Sequence, residues 1–122
     1  MDIRYTADHE WVTVDGGGIA TVGITDHAQG ALGDLVFVQL PDLGASLTKG
    51  APAAVVESVK AASDILAPLA GTVVGVNTAA ISDPTLINAD PQGGGWLFKI
   101  QLSDAAELES LLDESAYRKV TT

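Results

Sequence analysis

Turn residues interrupt this chain so often that no long regular element fits ahead of its last twenty or so residues. Asp15-Gly16-Gly17-Gly18, Gly33, Pro41, Gly44, Lys49-Gly50, Pro68 and Gly71 each mark a turn or the end of an element. Between them lie short runs rich in β-branched and aromatic residues: Glu10–Val14, Ile19–Ile24, Leu35–Leu40, Ser46–Thr48, Ala51–Val56, Thr72–Asn77 and Trp96–Leu102. Such punctuation predicts a mainly β domain with helical trim. Gly75 inside its run predicts a bulge or a close backbone approach. Thr25 or Asp26 is placed to cap a short helix through Leu32 that ends at Gly33. Ser103 is placed to cap a helix through Leu112, with Glu107 completing a loose capping pattern, and Glu114–Val120 reads as a further helical piece. Residues 78–95 hold Pro84, Pro91 and three glycines, and read as loop, with Leu86-Ile87 pairing briefly.

One stretch carries a chemical suggestion. In Val55–Leu66 two aliphatic ends, Val55-Val56 and Ile65-Leu66, flank a middle of small residues with Lys60 at its centre. The ends predict two strands folded back on each other with the lysine at the turn, although the usual Asn-Gly or Asp-Gly signal is missing. Ser58, Ala61, Ala62 and Ser63 leave the ammonium open to an approaching enzyme. The residues alone propose a presented lysine and do not say what is attached to it.

Other chemistry is thin. Zero cysteines exclude a disulfide scaffold and a thiolate metal site, and His9 and His27 are far apart in sequence without metal-ligand spacing. No nucleophile–base constellation stands out, so neither a catalytic set nor a metal site is expected. The three glycines at 16–18 lack the Lys-Ser/Thr and the helix of a phosphate loop. Sixteen acidic residues against six basic ones give a net charge of −10, which opposes nucleic acid and either attracts protein partners with basic patches or only keeps the protein in solution. No apolar run reaches the ~18 residues of a membrane span, and no signal or transit segment is read at the N-terminus. The expectation is a cytoplasmic, bacterial-type monomer that forms one domain over residues 1–122.

Glu57-Ser58-Val59-Lys60-Ala61-Ala62-Ser63-Asp64-Ile65, followed by Ala67-Pro68, resembles the lipoylation site of the H proteins of the glycine cleavage system. The resemblance extends along the chain through His9-Glu10-Trp11-Val12, Gly23-Ile24-Thr25-Asp26, Leu32-Gly33-Asp34, Leu40-Pro41, Asn88, Asp90-Pro91, Gly95-Trp96, Leu111-Leu112 and Ala116-Tyr117. Val59-Lys60-Ala61 differs from the Asp-Lys-Ala of 2-oxo acid dehydrogenase lipoyl domains and from the Met-Lys-Met of biotin carriers.

The resemblance implies a flattened barrel-sandwich hybrid with a short internal helix and a C-terminal helix. It implies lipoic acid in amide linkage to Lys60 on a non-catalytic carrier that moves the aminomethyl group of glycine. The implied partners are a pyridoxal-phosphate glycine decarboxylase, a tetrahydrofolate-dependent aminomethyltransferase, dihydrolipoyl dehydrogenase and a lipoate-attaching enzyme. Glu10 and Asp64 match positions implicated in a cleft for the loaded arm. The chain departs from the family pattern at Ala31 (a histidine in some members), Leu66 and Gln92 (often tyrosine). Two other roles share the motif: a relay that donates lipoyl groups to other enzymes, and an unmodified interaction module of the same fold.

Overall fold

The structure, a computed structural model, describes residues 3–121. Its strands are β1 (Ile3–Tyr5), β2 (Glu10–Val14), β3 (Ile19–Ile24), β4 (Leu35–Gln39), β5 (Ser46–Leu47), β6 (Pro52–Ser58), β7 (Ala62–Leu66), β8 (Gly71–Val76) and β9 (Phe98–Leu102). They form a six-stranded sheet in the order β1-β2-β3-β9-β8-β5 and a three-stranded sheet β4-β6-β7. These are two sheets rather than one closed barrel. Every pairing between the described strands is antiparallel.

Strand alternation builds the core. Val12, Ala20, Val22, Val73, Phe98 and Ile100 of the large sheet meet Leu35, Val38, Ala54, Val56 and Ile65 of the small one in a single buried cluster. Burying a side chain of the size of Phe98 contributes ~1.5–3 kcal/mol. A second cluster, Tyr5, Trp11 and Tyr117, lies on the other face of β1 and β2. Gly75 does mark an irregularity, because the β8–β9 register shifts between Val73 and Gly75.

Helix α1 (Asp26–Leu32) starts where Thr25 accepts the Ala28 N–H and stops at Gly33 with φ 85°, a left-handed end that glycine adopts at no steric cost. Three readings of the sequence are corrected. Residues 78–95 hold two short helices, α2 (Thr78–Ser82) and α3 (Thr85–Ala89), and Leu86-Ile87 lies in α3 rather than in a strand. Pro84 does not exclude α3, since a proline ring at a helix start removes an N–H that has no partner there anyway. The segment after Ser103 is a 3₁₀ turn, Ala105–Ser110, capped by Asp104 and not by Ser103. It ends because Leu112 is drawn into a bridge with Tyr5, each N–H donating to the other's carbonyl at 2.8 Å. The terminal helix α4 is Glu114–Thr121. Among the described residues no helix is long and apolar enough to cross a membrane.

The small sheet leaves two edges unpaired by strands. At the β4 edge, Asn88 on α3 accepts the Leu35 N–H at 2.9 Å and donates to Gly33 O and Gln29 Oε1, each at 2.9 Å. One side chain thereby joins α3, the end of α1 and the first residue of β4. Asn88→Ala should lower stability by ~1–3 kcal/mol, the cost of stranding partly buried polar groups, and should expose the Leu35 amide. Denaturant titration with amide exchange checks this, and unchanged Leu35 protection would show that the edge is closed by something else.

Candidate functional site

Lys60 stands at the tip of the β6–β7 hairpin. The turn is closed by the Ser58 N–H donating to Ala61 O at 2.7 Å, which leaves Val59 and Lys60 as the two loop residues. Two-residue hairpins normally use primed turns with positive φ, hence Asn-Gly. Among the described non-glycine residues only His9 has positive φ, so this turn is of another kind. Ser58 supplies the missing constraint: its hydroxyl accepts the N–H groups of Lys60 and Ala61 at 3.3 and 3.1 Å. Strand alternation points Ser58 inward with Ala54 and Val56, so the staple is buried while Val59 and Lys60 are exposed.

The Lys60 side chain lies over Gly33. An ideal Cβ on Gly33 would sit 3.3 Å from Lys60 Cε and 3.7 Å from its Nζ. The ammonium makes no hydrogen bond or ion pair among the described residues. Two other lysines are engaged: Lys49 donates to Ser110 Oγ at 2.6 Å, and Lys99 lies 5.0 Å from the centre of the Trp96 ring.

Glu10 is brought to the other end of the hairpin. As the first residue of β2 it points to the same face as Val12, the inner one, and is only 2% exposed. The turn before it fixes its entry. Thr6 N–H donates to Glu10 O at 2.9 Å, and His9 holds φ 66° between bonds to Thr6 O (3.1 Å) and from the Thr25 N–H (3.0 Å). The Glu10 carboxyl accepts the Leu66 N–H at 2.9 Å on the open edge of β7, and the Thr6 hydroxyl at 3.1 Å. Burial pushes its pKa from 4.5 up to about 7, against those two hydrogen bonds and with a smaller push from Asp8. Glu10 lines a cleft of about 270 Å³ together with Thr6, Asp8, Lys49, Leu66 and Pro68. A buried carboxyl that titrates near neutrality at the wall of a cleft can receive a cation as a carboxylate or stay neutral without one.

Asp64 is not in that cleft. It is exposed, two residues before Leu66 on the face of β7 opposite the buried Ile65. The departures separate likewise: Leu66 lines the cleft, whereas Ala31 and Gln92 are exposed. The two histidines, distant in sequence, have ring centres 4.4 Å apart. His9 Nδ1 is 2.8 Å from Tyr117 Oη, which is 2.7 Å from Thr25 Oγ1. Burial, then His27, lowers the His9 pKa, with Asp8 opposing. No three or more His, Cys, Asp or Glu side chains cluster as metal ligands among the described residues. Sequence reasoning missed Gly33 as the bed of Lys60 and Leu66 as the partner of Glu10. The first had a signal, the helix-ending glycine, but neither contact has a local one.

The comparisons agree with this architecture. The family model for the glycine cleavage H-protein matches residues 3–122. A glycine cleavage system H protein from Alteromonas mediterranea is 57% identical over 116 residues, which make up 95% of this chain and 90% of that protein. The crystal structure of a glycine cleavage system H protein from Mycobacterium marinum superposes with a TM-score of 0.88 at 46% identity, covering 97% of this chain and 94% of that one.

The Glu10 titration has a definite sign. A carboxyl whose folded pKa is raised adds stability that is complete below its unfolded value of 4.5 and is lost as pH rises through about 7. The stability of the parent minus that of Glu10→Gln should therefore fall between about pH 5 and pH 8, because glutamine does not titrate. Chemical denaturation of both proteins across that range tests it. A flat difference would mean that Glu10 titrates as an ordinary surface acid.

Proposed function

Because the chain belongs to the glycine cleavage H-protein family, we propose that Lys60 is the residue on which it carries lipoic acid, in amide linkage. The protein is a lipoyl carrier of the glycine cleavage system. The observation that carries the Lys60 assignment is its setting: an unengaged ammonium on a stapled, small-residue hairpin tip. The bound lipoyl group supplies a dithiolane that takes up a one-carbon amine unit and two electrons. The chain's own residues do the rest, in keeping with a protein that positions chemistry performed elsewhere.

Ser58 holds the turn rigid so that the lysine is offered in one place. Gly33 gives the lysine stem a flat bed, and a side chain there would crowd Lys60 Cε. The cleft begins beside Leu66, the length of one strand away, ~17 Å for five residues at ~3.3 Å each. That span suits a lysine lengthened by a lipoyl group. Glu10 would hold the cationic amine of a loaded arm at the cleft wall, losing its proton to solvent and accepting a charge-assisted hydrogen bond from the ammonium. Asp64, exposed on the outer face of β7, does not line the cleft.

The partners follow from the same reading: a pyridoxal-phosphate glycine decarboxylase, a tetrahydrofolate-dependent aminomethyltransferase, dihydrolipoyl dehydrogenase and the enzyme that attaches lipoate. Tethering gives each hand-over an effective concentration on the order of millimolar. We take the whole chain as one carrier domain with no catalytic step of its own. The main core shared by both sheets supports this.

Intact mass of the protein from its native host is expected to show one lipoyl increment, and Lys60→Arg to fold normally without it, since a guanidinium does not form the amide. A lipoyl increment surviving on Lys60→Arg would falsify the assignment.

Glu10→Gln, lipoylated and charged with glycine by the decarboxylase, should release formaldehyde and ammonia faster than the parent when the folate enzyme is absent. A charged hydrogen bond of ~1.5–3 kcal/mol corresponds to a roughly ten- to hundredfold change in the docked fraction. Equal release rates would remove Glu10 from the cleft's function.

A further inference from the structure

The outer face of the small sheet is unlike the rest of the surface. A register shift between Leu35 and Phe37 in β4 interrupts alternation, so that two consecutive large apolar side chains turn outward. Val36 is 58% exposed and Phe37 46%. The flanking Leu35 and Val38 are buried, so β4 keeps its inner contacts. Phe37 pairs with Glu57, which pairs with Ala62, and this row of partners shares the outer face. The next row on that face is Gln39, Val55 and Asp64. At the hairpin tip, Val59 is 86% exposed. None of the three strands carries a lysine or arginine, and Asp34, Glu57 and Asp64 put acids around the apolar centre.

We infer that this face, centred on Val36 and Phe37, docks the enzyme that acylates Lys60, a partner with an apolar depression rimmed by basic side chains. The inference rests on the Lys60 assignment and goes beyond it by naming the surface that is recognised. Reach selects this partner among those that meet the carrier. Enzymes that work on the far end of the arm need not cover the hairpin. The attaching enzyme must bring to Nζ itself the acyl carbon of lipoate that ATP has activated as an acyl phosphate anhydride. There the unprotonated amine attacks that carbon, the nucleoside monophosphate departs with the electron pair of the broken acyl–oxygen bond, and the nitrogen loses a proton. Nζ lies against Gly33, three residues before Val36, and the hairpin pairs with β4 at Leu35–Ser58 and Phe37–Glu57. Any active site over Nζ therefore also covers the 33–37 and 57–62 segments. Charge complementarity fits the acidic surround, and exposed apolar side chains inside such a rim have the anatomy of an interface centre.

The test measures lipoyl attachment by a purified lipoate-attaching enzyme with lipoate and ATP. The substrates are the parent, Val36→Ser/Phe37→Ser and, as a control, Val74→Ser. Val74 is 47% exposed on β8 of the large sheet. For the double variant the KM for the carrier should rise roughly tenfold or more, the usual effect of truncating an interface anchor, with kcat little changed. Val74→Ser should match the parent. Labelling of Lys60 by a small acylating reagent should be equal in all three, since it reads the amine and the turn rather than docking. If the double variant fails to fold, Phe37→Gln is measured in its place with the same direction expected. Parental KM in a folded variant overturns the inference, and so does an equal loss in Val74→Ser or a parallel loss of chemical labelling. Failure of the parent itself to accept lipoate would instead overturn the Lys60 assignment, and the inference with it.

Discussion

A three-stranded sheet has two edges, and here neither is closed by another strand. Side-chain oxygens from elsewhere in the chain close each edge at one point: Asn88 on the Leu35 N–H and Glu10 on the Leu66 N–H, both at 2.9 Å. The carrier's working parts follow from those two closures. Asn88 also binds the Gly33 carbonyl, which fixes the end of α1 as the surface on which the Lys60 stem rests. Closure by Glu10 draws an acid into the interior at the wall of a cleft. Edge closure alone requires only an acceptor, and a glutamine oxygen would provide one without a titrating proton. The choice of a carboxyl, with a pKa raised to about 7, is therefore not explained by architecture. The cationic cargo proposed for the arm would make use of it.

The parts of this fold that were legible in the sequence are those set by local chemistry. Glycine and proline punctuation located most strands, Thr25 and Gly33 bounded α1, and Gly75 flagged its bulge, because each signal acts within a few residues. The lysine hairpin was legible from its apolar ends even without a turn dipeptide, since Ser58 replaces that signal with a side-chain staple. The readings that failed were decided at long range. Leu108, Leu111 and Leu112 have helical spacing, yet the bridge to Tyr5 pulls Leu112 into extended backbone across more than a hundred residues. The apolar run Leu35–Leu40 holds a strand with one face buried through Leu35 and Val38, yet only its pairing with β6 reveals the shift that turns Val36 and Phe37 outward.

Of the site, Lys60 was legible from its small neighbours together with the family resemblance. Glu10 entered through the resemblance alone. Sequence spacing does not show that the first residue of β2 faces inward or that Leu66 needs an acceptor there. Asp64 illustrates the converse: the resemblance implied a place in the arm's cleft, but alternation about Ile65 turns it to the outer face.

The same long-range order brings the histidines together. Ala28 N–H donates to Thr25 Oγ1, Thr25 Oγ1 shares a hydrogen bond with Tyr117 Oη, and Tyr117 Oη shares one with His9 Nδ1. Burial and His27 beside it favour the neutral form of His9. Tyr117 is also stacked on Tyr5, with ring centres 4.4 Å apart, so one side chain of α4 anchors the terminal helix to both β1 and the Thr6–Glu10 turn. His9 is the residue in left-handed backbone immediately before Glu10. The terminal helix therefore helps to hold the turn that aims the carboxyl into the cleft. Its contribution to the site is orientational, delivered through the Thr25–Tyr117–His9 hydrogen bonds.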